Sequence, residues 1–281
     1  MTDSPASPSS SLKSGYWHEL SSEDLRAVLP LRTIAVLPVA AVEQHGPHLP
    51  LGTDALINDG VVRRVLQLVA DDVTLLVLPA MNVGDSLEHT DFAGTLSIDA
   101  QVLMQSWLDI GRSVARSGVR KLVILNSHGG QVPVVDLVAV RLRAELQMLV
   151  ARVSTFRLGV PPNLFCADEL AHGIHGGEVE TSLMLHLYPQ LVRREHLQYF
   201  ASLAAQWAAQ GRQLGVEKPS GIGWMAQDLN EQGVCGNAAA ADAMRGAKLL
   251  EHLARSVARL VTEMADTSLD VLRAGPNSLT G

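Results

Sequence analysis

Imidazoles, two of the three times with carboxylates beside them, mark three places in the chain. The first is Glu43, His45, His48 and Asp54, in a loop punctuated by Gly46, Pro47, Pro50 and Gly52. Glu43 and His45 stand two apart, so an extended backbone points them to one side. The turn residues that follow can bring Asp54 back to that pair. The second place is Asn126-Ser127-His128-Gly129-Gly130, directly after an apolar run. The third is His172 to Ser182, where His175, Glu178 and Glu180 precede another apolar run. Carboxylate mixed with neutral imidazole is the donor set that suits zinc, manganese or iron(II). Each cluster also has a plainer reading. The first is then a polar loop, the second a glycine-rich phosphate loop, and the third a helix start whose acids meet the dipole. The second lacks GxxxxGK[ST] and GxGxxG, so phosphate binding is disfavoured. Helix-start preferences do not explain His175. A fourth polar loop, Met81 to Ser97, carries Asp85, Ser86, Glu88, His89 and Asp91. It would cover the same edge, which makes Asp85, Ser86, Glu88, His89 and Asp91 substrate-contact candidates, with Gly129 beside them.

The elements between these clusters place them. Thr33 to Pro38, Val73 to Leu78, Lys121 to Leu125 and Val150 to Phe156 are continuous apolar runs, as in parallel strands covered on both faces. Helical spacing is expected over Asp54–Ala70, Asp99–Ser117, the segment from His128 to Leu146, Glu178–Leu187, Glu195–Leu214 and Asn237–Asp266. A short helix is expected from Ser21 to Leu29, stopped by Pro30, and loop over 161–177 and 218–236. Strand–helix alternation predicts an α/β fold with a mostly parallel sheet, and the polar loops all follow strand C-termini, where such sheets form sites. The expected organisation is a Ser/Pro-rich tail over 1–14, one domain over 15–270 and a loose tail over 271–281.

The net charge is −7 with no concentration of Lys or Arg, which argues against a nucleic-acid surface. Two cysteines, Cys166 and Cys235, form no CxxC pattern, and a reducing cytoplasm is the expected compartment. No apolar run is long enough to span a bilayer. The apolar face of Leu197, Phe200, Leu203 and Trp207, with the long C-terminal helix, predicts a homo-oligomer.

Taken together, Glu43-x-His45-Gly46-Pro47-His48 with Asp54, Asn126-x-His128-Gly129-Gly130, and His175-Gly176-Gly177-x-x-Glu180-Thr181-Ser182 resemble the signatures of the creatininase family in order and spacing. The resemblance implies a three-layer α/β/α fold, a binuclear metal site, hydrolysis of a non-peptide C–N bond and often a hexamer. It implies that Glu43 and His128 bind one ion, His45 the other, and that Asp54 bridges them, with zinc or manganese as the ions. It implies that His175 transfers protons. Creatinine-hydrolysing members carry Tyr and a metal-binding Glu where this chain has Gly129 and Gly130. Glu180, or else Glu178, is then expected to complete the second ion's ligands, and Glu178 is a candidate proton-transfer group. Those members also place a covering Trp where this chain has Ala171.

The chemistry these residues allow is metal-assisted hydrolysis of a small amide or cyclic amide. Two ions sharing Asp54 would acidify a bridging water, whose hydroxide attacks the carbonyl. The open Gly129-Gly130 wall and Ala171 make creatinine itself an unexpected substrate. Two readings stand beside this one. One is ring-opening hydrolysis of a C–C bond in a cyclic ketone. The other is a metal- or ligand-binding protein without catalysis.

Overall fold

The computed structural model describes residues 12–216 and 219–275 of the 281. The sheet is built from β1 (Gly15–Tyr16), β2 (Thr33–Val39), β3 (Thr74–Val77), β4 (Lys121–Asn126) and β5 (Leu149–Ser154). Its order is β1-β3-β2-β4-β5, with every neighbouring pair parallel. The helices among the described residues are α1 (Thr53–Leu66), α2 (Ala100–Arg116), α3 (Val132–Leu146), α4 (Ala167–His172), α5 (Glu178–Leu187), α6 (Leu203–Ala209), α7 (Ala226–Leu229) and α8 (Ala243–Asp266).

Successive residues of a strand face opposite sides, so the apolar run of β2 serves two cores. Ile34 and Val36 pack with Val61 of α1, Leu183 of α5 and Val257 of α8. Ala35, Leu37 and Val39 pack with Trp107 of α2 and Val138 of α3. The result is a three-layer α/β/α fold with a parallel central sheet. Asp99 starts α2 by accepting a hydrogen bond from the Gln101 N–H, and Leu103, Trp107, Gly111 and Val114 turn inward at helical spacing.

The tail expected over 1–14 lies outside the described residues except for 12–14, and that over 271–281 except for 271–275. Residues 12–14 are tied to the sheet: Ser14 Oγ donates to the Val73 carbonyl and accepts from the Leu75 N–H. Five segments differ from expectation, two of them being the expected loop over 218–236, which contains α7, and the helix expected from Asn237, which starts at Ala243. The helix expected to Leu29 is a single 3-10 turn, Asp24–Ala27. The expected loop over 161–177 contains α4, whose start is capped by Cys166 Sγ accepting from the Glu169 N–H. The helix expected over Glu195–Leu214 is broken. Tyr199–Phe200 forms β6 and pairs antiparallel with β7, Gly236–Asn237, and Ser202 caps a fresh start for α6. The apolar face of Leu197, Phe200, Leu203 and Trp207 packs in part within the chain, where Phe200 is buried and the other three are half-buried. Phe200 packs with Val234 and Ala238, and Leu203 and Trp207 pack with Val216, Leu229 and Cys235. No helix among the described residues is long and apolar enough to cross a membrane.

Candidate metal centre

The loops that leave β2, β3 and β4 meet at one edge of the sheet, and the start of α5 closes on them. The Glu43 N–H donates to the Leu51 carbonyl (2.9 Å), which folds the loop back and sets Asp54 in the first turn of α1. Asn126 fixes His128 from both sides: its Oδ1 accepts from the His128 N–H (3.0 Å), and its amide donates to the His128 carbonyl (2.7 Å). Gln131 supports Asn126 Oδ1 in turn (2.8 Å). The Cys235 N–H donates to the His175 carbonyl (2.7 Å), and His48 Nε2 donates to the Gly176 carbonyl (3.0 Å). These two bonds pin the His175–Gly177 turn over the first loop.

Three histidines share one arrangement. His45 Nδ1 faces the Glu43 carbonyl (3.0 Å), His128 Nε2 the Asp85 carbonyl (2.9 Å) and His175 Nε2 the Gln44 carbonyl (2.8 Å). A carbonyl only accepts, so each of those nitrogens carries the proton. The other nitrogen of each ring is a lone pair aimed at carboxylates. His45 Nε2 lies 3.3 Å from Asp54 Oδ1 and 3.9 Å from Glu180 Oε2. His128 Nδ1 lies 3.2 Å from Glu43 Oε2 and 3.4 Å from Asp54 Oδ2. His175 Nδ1 lies 3.7 Å from Glu43 Oε1. Glu43 Oε2, His45 Nε2 and Asp54 Oδ2 are buried and make no hydrogen bond. Buried polar atoms without partners are costly and rare. Lone pairs gathered on buried carboxylates and tautomer-locked imidazoles are what a divalent cation requires. The donor atoms fall into groups that could hold one: Glu43, Asp54 and His128; His45, Asp54 and Glu180; and Glu43, His45 and His175. The first two share Asp54.

The charges reinforce one another. Burial opposes a charge on His45, but Asp54, Glu180 and Glu43 outweigh it and raise the ring to about 9. His128 is raised well above its ordinary value, where Glu43 and Asp54 overcome burial. Burial also opposes ionised Glu43, yet His128, His89 and His175 hold it far below the usual carboxylate range. A cation bound here takes the place of these protons. Glu180 is pushed up to about 7 by burial, with Asp54 and Glu43 adding to it against His45. His175 is lowered well below its ordinary value by burial and by the neighbouring His45 and His89, so it stays neutral.

Other expected site residues fall elsewhere. Glu178 does not face the centre. Its carboxylate pairs with Arg245 of α8, on the side of α5 away from the cavity. Ser86 is buried outside the cavity wall, and Asp91 accepts from Gln227 at the surface. His89 does reach the centre, in the opposite sense to the three ligand-like rings. The Gln44 amide donates to its Nδ1 (2.8 Å), so its protonated Nε2 faces Glu43 Oε1 (3.4 Å). Burial lowers His89 to about 4. Gly129 lines the cavity with open space where a side chain would be. Ala171 is exposed on α4.

The cavity over the centre has a volume of about 400 Å³ and a rim that includes Phe156, Arg157, Leu170, Ile174 and Trp224. Trp224 and Glu169 were not legible as site residues. Glu169 is buried and accepts from the Glu178 N–H (2.6 Å) and the Asn237 N–H (2.8 Å). Gly177, at the start of α5, offers no side-chain cap, so Glu169 satisfies that helix end from another element. Gly173, Gly177 and Gly236 crowd around its carboxylate so closely that a Cβ on any of them would overlap it.

Residues 18–261 match the family model Creatininase: Creatinine amidohydrolase. The mycofactocin precursor peptide peptidase of Mycobacterium tuberculosis (strain CDC 1551 / Oshkosh) is 36% identical over 235 residues, covering 80% of this chain and 84% of that protein. The creatinine amidohydrolase of Pseudomonas putida is 33% identical over 178 residues, covering 57% and 66%. A solved creatininase in a manganese form superposes with a TM-score of 0.71 at 26% identity, covering 91% of this chain and 100% of that one. A creatininase variant of Zn–Zn type superposes at 0.70 with 25% identity, covering 92% and 100%. With the sheet, the three ligand clusters and a match over most of its length in agreement, the chain belongs to the creatininase family of hydrolases.

Proposed function

We propose that the protein is a metal-dependent amidohydrolase holding two divalent ions, zinc or manganese. Glu43, Asp54 and His128 would hold one, and His45, Asp54 and Glu180 the other. The observation that carries this reading is the set of three imidazoles, each with one nitrogen tied to a carbonyl and the other turned to a carboxylate, among which Glu43 Oε2, His45 Nε2 and Asp54 Oδ2 are buried and unbonded. Ions held there supply Lewis acidity and acidify water.

The chain's own residues supply the rest. His175 is neutral, and its Nδ1 is free because Nε2 bonds Gln44, so it is set to accept a proton beside the reacting carbonyl. Glu180 Oε2 accepts from the Gly176 N–H, which holds this carboxylate beside His45 for the second ion. Gly129 lets a substrate approach the backbone, and Phe156, Leu170, Ile174 and Trp224 form an apolar rim that limits water.

The substrate is an amide or cyclic amide with apolar flanks, the end of a peptide included. The cavity and the peptide-processing relative both favour this class. Creatinine is disfavoured because the wall at Gly129 is open and Ala171 covers nothing. The test is a panel of lactams, formamides, ureides, short peptides and creatinine on the manganese- or zinc-loaded protein, with amine release followed. Turnover of at least one amide class, with creatinine slowest, is expected. Silence on every C–N substrate with ions bound would overturn the amidohydrolase reading.

A further inference from the structure

The two glycines after His128 are not equivalent. A Cβ at Gly129 would meet nothing within 4 Å. A Cβ at Gly130 would overlap Glu88 Oε1 and stand 2.7 Å from His128 Nε2. The space over Gly130 is therefore filled by a carboxylate from the loop after β3. The 3-10 turn Leu87–His89 sends its three side chains apart: Leu87 to solvent, His89 into the centre, and Glu88 into the cavity wall. Glu88 Oε1 lies 3.5 Å from His128 Nε2 and 4.0 Å from His89 Nε2, and its side chain is only 17% exposed. Among the described residues no lysine or arginine pairs with it.

We propose that Glu88 is the outer carboxylate of the ion site formed by Glu43, Asp54 and His128, and that position 130 is glycine because this carboxylate lies over it. Glu88 adds negative charge on the cavity side of that site. With the Asp85 carbonyl, it also holds the His128 ring so that Nδ1 stays aimed at the ion. It is a positioning residue that acts through His128. The proposal rests on the two-ion reading above.

The test is ion affinity, measured by chelator competition with manganese or zinc, together with ion content per chain. Glu88→Gln should weaken one of the two ions by about 10–100-fold while the unfolding temperature of the ion-free protein stays unchanged. Gly130→Ala should weaken the same ion in the wild-type background and do so less in Glu88→Ala, where only the approach to His128 Nε2 remains. Wild-type affinity for both ions in Glu88→Gln would overturn the proposal. So would an equal loss of ion-free stability, which would make Glu88 merely structural. Asp54→Ala separates this failure from that of the underlying reading. Loss of both ions there with none in Glu88→Gln rejects Glu88 alone, whereas full ion content in Asp54→Ala rejects the centre itself.

Discussion

At the start of β4, Lys121 is fully buried, and its ammonium donates to the carbonyls of Leu31 (2.7 Å), Met264 (2.6 Å) and Ala265 (2.9 Å). At the other end of the same strand, His128 faces Glu43 and Asp54, whose Oε2 and Oδ2 make no hydrogen bond. Both ends bury charge. The first is closed by the chain itself, because Lys121 neutralises the orphan carbonyls at the C-terminus of α8. The second is left open, with donor atoms directed at a common space. The difference separates a buried charge that holds the fold from one that waits for a ligand. Burial alone does not make the distinction, whereas completeness of partners does.

The largest effect is expected at the open end. His175→Ala should lower kcat by about 10²–10⁴-fold with ion content unchanged, as read by single-turnover kinetics and elemental analysis. Loss of ions with activity would move His175 into the ligand set and shift the boundary of the open region. At the closed end, Lys121→Met should remove the donor shared by three carbonyls, of which Met264 keeps the Thr267 N–H, and cost about 2 kcal/mol of stability in urea unfolding. Ion content per folded chain should stay at the wild-type value. A variant that lost ions instead would erase the contrast between the two ends.

The border between the regions gives effects no larger than these. Glu169→Gln sets an amide N–H against one of two backbone N–H groups and should cost about 2 kcal/mol, together with weaker ion binding through the loosened start of α5. Circular dichroism melts with and without ions would separate the two contributions. His48 gives the smallest effect, through pH. Burial lowers it to about 4, while an unfolded histidine titrates near ~6.5. Protonation therefore favours the unfolded chain. The stability due to neutral His48 is complete above that unfolded value and is lost as pH falls towards 4. Between pH 6.5 and 5.5 the loss should be about 1 kcal/mol, and His48→Gln should remove it from the urea midpoint. An unchanged slope would show that burial does not hold the ring neutral.

What was legible in the chain follows the same division. Continuous apolar runs marked β2 and β4, and polar residues at their C-terminal ends marked Glu43, His45, Asp54 and His128, because chemistry and strand ends coincide there. Glu178 and Glu180 share one helical turn, and their types could not tell them apart. Arg245, distant in sequence, draws Glu178 to the far side. The segment after Pro189 read as one helix on periodicity, but pairing of Tyr199–Phe200 with Gly236–Asn237 overrides it. Glu169 and Trp224 gave no local signal, since their partners are set by tertiary contacts alone. The glycines at 129 and 130 both read as open wall, and only Gly129 is open.

The carboxylate of Glu169, enclosed by Gly173, Gly177 and Gly236, also bears on how this chain can drift over generations. A single replacement at any of the three glycines drives a Cβ into the carboxylate, and a single shortening of Glu169 strands the N–H groups of Glu178 and Asn237. At 177 and 236 a Cβ would also meet backbone, so only a paired change, a smaller residue at 169 with a larger hydrogen-bond acceptor at 173, keeps the volume filled. Lineages descending from this chain should therefore change 169 and 173 together and keep glycine at 177 and 236, while exposed neighbours such as Leu170 and Ala171 vary one at a time.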